Sequence, residues 1–136
     1  MYEKSFALEI ITPNRVVYRD DATSLSAPGV LGGFQVLYNH APLLSSLEIG
    51  QIKVKNKEGE DILFAASGGF VEVRENKVVV LAENAERANE IDVARAKYAQ
   101  ERAEGRLREK YEHIDVERAR LALLRAINRL RIAGKT

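Results

Sequence analysis

Phe70-Val71-Glu72-Val73-Arg74-Glu75-Asn76-Lys77-Val78-Val79-Val80-Leu81-Ala82 and, a few residues on, Ile91-Asp92-Val93-Ala94-Arg95-Ala96 decide how this chain folds. The first stretch alternates apolar and polar residues, turns through Arg74 to Lys77, and resumes as an apolar run. That is the pattern of two strands joined by a tight turn. The second stretch opens a segment in which small and apolar residues recur at the helical period. The period changes once, near Asn89, which predicts two structural units.

Upstream the strand pattern continues. Phe6 to Ile11 is apolar and Thr12-Pro13-Asn14 breaks it. Arg15 to Tyr18 and Ala22 to Ser26 read as short strands. Gly50 to Lys55 alternates strictly, and Asn56-Lys57-Glu58-Gly59 turns back into Asp61 to Ala66. Ser67-Gly68-Gly69 is expected to interrupt the next strand. About eight to ten short strands with Gly, Asn and Pro between them predict a small antiparallel sandwich or barrel.

Downstream, Asn89 is the expected N-cap of a first helix, with Asp92 near the positive end of its dipole. Ala94, Ala96, Ala99 and Ala103 favour the helix, Gly105 weakens its end, and the turn is expected within Arg108 to His113. Asp115 caps a second helix that runs to about Ala133 and stops at Gly134. The fold class is therefore α+β with two domains. Residues 1–87 form a β-sandwich or barrel, and residues 88–136 form an antiparallel two-helix hairpin. Ile-Asp-Val-x-Arg-Ala occurs at Ile91 and again at Ile114. Shared start chemistry explains this repeat better than duplication does, because Asp in the first turn is common.

Charge divides along the same line. Residues 1–91 carry 9 Lys/Arg against 13 Asp/Glu, a net of −4, and residues 92–136 carry 12 against 7, a net of +5. A basic tail suits an anionic partner, or is simply a solvated helix surface. The absence of Cys removes thiolate chemistry and disulfides. His40 and His113 are too few for a His-based metal site. No apolar run reaches the roughly 20 residues that span a bilayer, and Met1 to Ser5 lacks the start of a signal peptide. Gly29-Val30-Leu31-Gly32-Gly33 lacks the Lys-Ser/Thr of a phosphate-binding loop. No nucleophile or carboxylate accompanies His40, so no catalytic site is expected.

On a helical wheel Arg95 and Arg102 lie within about 40° of Ile91, beside a stripe of Ala96, Ala99, Ala103 and Leu107. In the second helix Arg125 and Arg129 lie beside Ala119, Ala122, Ala126, Leu123, Ile127 and Leu130. If the stripes face each other, the arginine edges can share one side of the seam. A polyphosphate would relieve their repulsion. Alternatively their heads are solvated, or they pair with Glu101 and Glu117. Leu121 and Leu124 point elsewhere and need a second surface.

Val16 to Tyr18 after Thr12-Pro13, the loop Gly32 to His40, His40-Ala41-Pro42-Leu43-Leu44, Ser67-Gly68-Gly69-Phe70-Val71-Glu72-Val73 and Ile91-Asp92-Val93-Ala94-Arg95-Ala96 occur in order. In this the chain resembles the ε subunits of bacterial F-type ATP synthases over nearly its whole length. The resemblance implies a non-catalytic rotor subunit at the cytoplasmic side of the cell membrane, attached only through its complex. Its sandwich would touch the γ subunit and the c-ring, using Gly32, Phe34, His40, Ala41 and Pro42. Its hairpin would fold back when ATP, with or without Mg²⁺, is bound. When extended it would reach the α and β subunits of the catalytic head and inhibit hydrolysis. By position, Glu86, Ile91, Asp92, Arg95 and Ala96 would serve the nucleoside end, and Arg102, Arg125 and Arg129 the phosphates. The chain departs from the family pattern at Gln35, where Gly is usual, and at Tyr38-Asn39, where Pro-Gly is usual. Asn tolerates the left-handed backbone, so the turn can survive. From other classes, a nucleic-acid-binding module poor in tail aromatics (Tyr98, Tyr111) and a stand-alone nucleotide sensor remain alternatives.

Overall fold

The computed structural model describes residues 4–109 and 115–134, and the chain divides into two compact units, Met1–Arg87 and Ala88–Thr136. Among the described residues the first holds seven strands: β1 (Phe6–Ile11), β2 (Val16–Ala27), β3 (Phe34–Val36), β4 (Leu43–Leu47), β5 (Gly50–Asn56), β6 (Asp61–Arg74) and β7 (Lys77–Arg87). The count is lower than the pattern suggested because two pairs of expected strands fuse. β2 runs unbroken through Asp20-Asp21, and β6 runs unbroken through Ser67-Gly68-Gly69. Two short strands, β3 and β4, carry too few residues for alternation to mark them.

The fused strands serve different neighbours in their two halves. β2 pairs with β1 through Ala22 and with β5 and β3 beyond it. β6 pairs with β5 up to Ala66 and with β4 from Gly69 to Val73, while β7 follows it from Phe64 to Arg74. The pairings β1-β7-β6-β5-β2-β1 close a ring. A ring with an odd number of strands cannot alternate direction all the way round. One neighbouring pair must be parallel, and it is β1 with β7, Ala7 opposite Lys77 through Ile11 opposite Leu81. This departs from the all-antiparallel expectation.

Inward-facing Phe6, Leu8 and Ile10 of β1 meet Leu25, Ile52, Val54, Phe64, Val71, Val73, Val78 and Val80 in one core. Tyr18 is buried beside Phe64 and its hydroxyl donates to the Asp21 carbonyl at 3.2 Å. Burial pushes the Tyr18 phenol above its ordinary pKa, and the Asp20 carboxylate adds to the shift.

The second unit opens with a 3₁₀ turn (Ala88–Glu90), then α1 (Val93–Glu109) and α2 (Val116–Ala133). Asn89 lies inside the 3₁₀ turn and is not the N-cap of α1. Asp92 takes that role: its Oδ1 accepts the Arg95 backbone N–H at 3.1 Å, and its carbonyl accepts Ala96 N–H. Asp115 does the same for α2, accepting Arg118 N–H at 3.0 Å. The Ile-Asp-Val-x-Arg-Ala repeat is therefore shared capping chemistry where it is described; Ile114 lies outside the described residues. Asp92→Ala should lower the stability of the hairpin by about 1 kcal/mol, measurable as a lower melting temperature of the helical signal.

α1 continues through Gly105 to Glu109, one solvent-side glycine costing less than the surrounding turns gain. Residues 110–113 of the expected turn lie outside the described residues. α2 ends at Gly134, whose N–H reaches the Leu130 carbonyl at 3.2 Å. α1 packs along α2 as an antiparallel hairpin, and the 3₁₀ turn packs on α2.

Candidate functional site: an arginine edge and an apolar sheet face

The hairpin seam is narrow because alanines make it. Ala96 and Ala103 of α1 and Ala119 and Ala126 of α2 are buried, spaced seven residues apart in each helix. Each follows an arginine: Arg95, Arg102, Arg118 and Arg125. In an antiparallel pair the sense of rotation reverses between helices viewed from one end. A residue one step before a seam position, about 100° round, therefore falls on the same side of the seam in both. Arg95 and Arg102, two turns or roughly 10.5 Å apart, thus share an edge with Arg118 and Arg125. Arg129, one turn beyond Arg125, continues that edge.

The carried-over residues sit as follows. Arg95, Arg102 and Arg125 are exposed and Arg129 is half-buried. Ile91 and Ala96 are buried, and Asp92 is an exposed cap. Glu86 lies on β7 opposite Ala65, in the first unit, whereas the other seven belong to the second. Glu117 pairs with Arg120 at 3.0 Å and with none of the arginines named for phosphate.

Some wheel positions need correction. Ile127, assigned to the stripe, is 40% exposed. Asn128 and Ile132, not assigned to it, are buried. Asn128 Oδ1 accepts from Arg131 at 3.1 Å, so its amide carries a local bond that no periodicity argument could foresee. Leu121 is half-buried and Leu124 is exposed. Leu124 is 46% exposed.

In the first unit the loop residues expected at a partner surface are mostly at hand for one. Gly32 is exposed with φ 127°, a backbone only glycine adopts freely. Phe34 starts β3 and packs on the core. His40 is half-buried and its Nδ1–H donates to the Ala41 carbonyl at 2.7 Å, while Ala41 and Pro42 are exposed. Asn39 adopts φ 56°, so the unusual Tyr38-Asn39 does keep the turn. Its N–H donates to Asn76 Oδ1 at 2.8 Å, and Asn76 Nδ2 donates to the Ser5 carbonyl. That tie links the loop to the β6–β7 turn.

Sequence reading missed an apolar face. Ser46, Phe70, Leu81 and Ile11 lie opposite one another across β4-β6-β7-β1. Leu44 is in the adjoining row, and Val16 lies opposite Ile11. Phe70 is 52% exposed, Leu81 54% and Leu44 70%. Apolar side chains in outward register form a contiguous patch of the kind that marks a protein contact.

Residues 5–88 match the β-sandwich domain of the ATP synthase delta/epsilon chain, and residues 89–134 match its long α-helix domain. The chain belongs to the ATP synthase delta/epsilon family. Among its relatives, the ATP synthase epsilon chain of Pelotomaculum thermopropionicum is 53% identical over 110 residues, covering 81% of each chain. That of Syntrophomonas wolfei is 48% identical over 112 residues, covering 82% of each. A chain of the Euglena gracilis mitochondrial ATP synthase (OSCP/F1/c-ring, rotational state 1) superposes with a TM-score of 0.81. It covers 100% of this chain and 84% of its own at 19% identity, a likeness of fold alone. Members of the delta/epsilon family are non-catalytic stalk subunits of the ATP synthase. Among the described residues, no helix is long and apolar enough to cross a membrane.

Proposed function

We propose that this chain is a central-stalk rotor subunit whose hairpin is held folded by ATP. The reading rests on the Arg-Ala spacing: seam alanines seven apart put Arg95, Arg102 and Arg125 on one edge, with Arg129 following. Guanidiniums gathered on one edge repel each other, and phosphate oxygens accept their planar forks. Ile91, Asp92, Arg95 and Ala96 serve the nucleoside end, and Asp92 fixes the first turn of α1 that presents Arg95. ATP acts as a ligand, shifting a conformational equilibrium by its preference for the closed hairpin. An alanine seam buries little apolar area, so its docking energy is small enough for a ligand to tip. Opened, the basic helices face the α and β subunits of the head and restrain hydrolysis. Mg²⁺ would accompany the nucleotide as its counterion.

Calorimetry on the whole chain tests this. ATP is expected to bind, and Arg95→Ala or Arg129→Ala to weaken it about ten- to a hundredfold, the loss of one charge-assisted contact set. No rise in melting temperature at millimolar ATP would remove the nucleotide role and leave the stalk role standing.

The sandwich docks on γ through the face bearing Leu44, Phe70 and Leu81, with Gly32, Phe34, His40, Ala41 and Pro42 directed at γ and the c-ring. The subunit then sits at the membrane periphery through its complex. Phe70→Asp places a charge in the centre of that face. It should abolish co-purification with γ and the ring while leaving the isolated chain folded, since Phe70 is half exposed. Retained co-purification would move the contact elsewhere.

A further inference from the structure

We propose that the outer face of β2, β3 and β5 binds a small phosphate-bearing anion, a site in the sandwich unit that owes nothing to the hairpin. Leu25 lies opposite Val36 on β3 and Val54 on β5, and all three are fully buried. Strand alternation then turns their neighbours onto the opposite face. Ser26 lies opposite Gln35 and Lys53, and Ser24 lies opposite Lys55. These side chains line a groove of about 530 Å³, a volume in the range of small-ligand sites.

The charge of this groove runs against that of its unit. Lys4, Lys53 and Lys55 line it with one carboxylate, Asp61, although residues 1–91 carry a net charge of −4. Asp61 is engaged by Lys53 at 3.6 Å. Lys55, two residues along the same strand face, has no ion pair of its own among the described residues. Lys4 is drawn in from a third direction by the Tyr38 ring, 5.1 Å from its centroid. Neighbouring ammonium groups repel, and a dianion between them converts that repulsion into attraction.

Neutral donors complete the arrangement. Gln35 Nε2 donates to Ser24 Oγ at 2.9 Å, which occupies the oxygen and leaves the Ser24 hydroxyl hydrogen to point at a ligand. Ammoniums and hydroxyls, with no guanidinium fork, suit a compact tetrahedral phosphate rather than a planar carboxylate. Leu37 and Tyr38, both about half exposed, offer apolar surface to whatever the phosphate is attached to.

The test is a titration of the whole, isotopically labelled chain with inorganic phosphate, followed by amide spectra at constant ionic strength. Saturable shifts are expected at Ser24, Ser26, Gln35 and Lys55, with chloride at the same ionic strength producing none. Lys55→Gln should weaken the binding at least about tenfold, and Asp61→Asn, which removes the competing carboxylate, should strengthen it. Both positions are on the surface, so an unchanged melting temperature verifies the fold. Vesicles of phosphatidylglycerol form a second arm. Binding to vesicles without saturable binding of free phosphate would overturn the proposal in favour of a lipid surface. Shifts confined to the hairpin, or unaltered by Lys55→Gln, would overturn it outright.

Discussion

Gly69→Ala is expected to destabilise the sandwich by about 4 kcal/mol or more, enough to leave much of the chain unfolded at 37 °C. Two independent effects add here. Gly69 has φ 116°, a region that costs any side chain roughly 1–3 kcal/mol. A Cβ there would also stand 2.0 Å from the Leu81 carbonyl oxygen and 2.8 Å from Ala82 Cα. Those are backbone atoms of β7, paired to β6 through Gly69 opposite Ala82, so they cannot swing aside without opening the ladder. Gly59 separates the two effects. Its φ is 80° but nothing lies within 4 Å of a Cβ, so Gly59→Ala should cost only about 1 kcal/mol. Urea unfolding followed by far-ultraviolet circular dichroism gives both values. Equal costs would show that the crowding against Leu81 is relieved by some movement of β7.

Phe64→Ala should cost about 4–5 kcal/mol, the loss of a fully buried ring and its aromatic partner. Phe64 is 0% exposed and meets Tyr18 edge to face, centroids 6.1 Å apart at 86°. The Arg87 guanidinium carbon lies 5.8 Å from the Phe64 centroid and 5.9 Å from that of Tyr18. One ring thus supports the core of the first unit and the last residue of β7, directly before the 3₁₀ turn. Phe64→Leu keeps most of the volume and loses the ring face, so it should cost less, about 1–2 kcal/mol. The chain has no Trp, so tyrosine fluorescence and circular dichroism report the unfolding. An alanine variant as stable as the leucine variant would show that the surrounding side chains collapse into the space.

These two residues mark different degrees of legibility. Gly69 was visible as a glycine inside a strand pattern and read as a break. The break was expected because two adjacent glycines weaken a strand, and a strand crossing from one partner to another needs just such residues. Phe64 lies in the expected strand Asp61 to Ala66, but that run is apolar from Ile62 to Ala66 without alternation, so its inward orientation was not legible. In the hairpin, the seam alanines and the arginine edge followed from the helical period. Asn128 did not: it is a polar residue that is buried, and its Oδ1 accepts from Arg131. The capping role of Asp92 and Asp115 was half legible. Both aspartates stood in the right places, and the competing cap Asn89 was displaced by a 3₁₀ turn.

By itself the sequence determined the local alternatives: alternation of period two before Asn89, period 3.6 after it, the caps, the turns at Asn56 to Gly59 and Glu75-Asn76, and the alanine stripes. These are properties of neighbours along the chain, where sterics and hydrogen bonding act over a few residues. Only the tertiary structure decided that β2 and β6 each change partners midway. It also decided that β1 and β7 run parallel and that Leu44, Phe70 and Leu81 meet on one face while Lys4, Lys53 and Lys55 meet on another. Those outcomes depend on pairing residues as far apart as Ala7 and Lys77, and on the closure of an odd ring of strands. No short-range rule encodes either, because register between distant strands is set by burying the whole core at once.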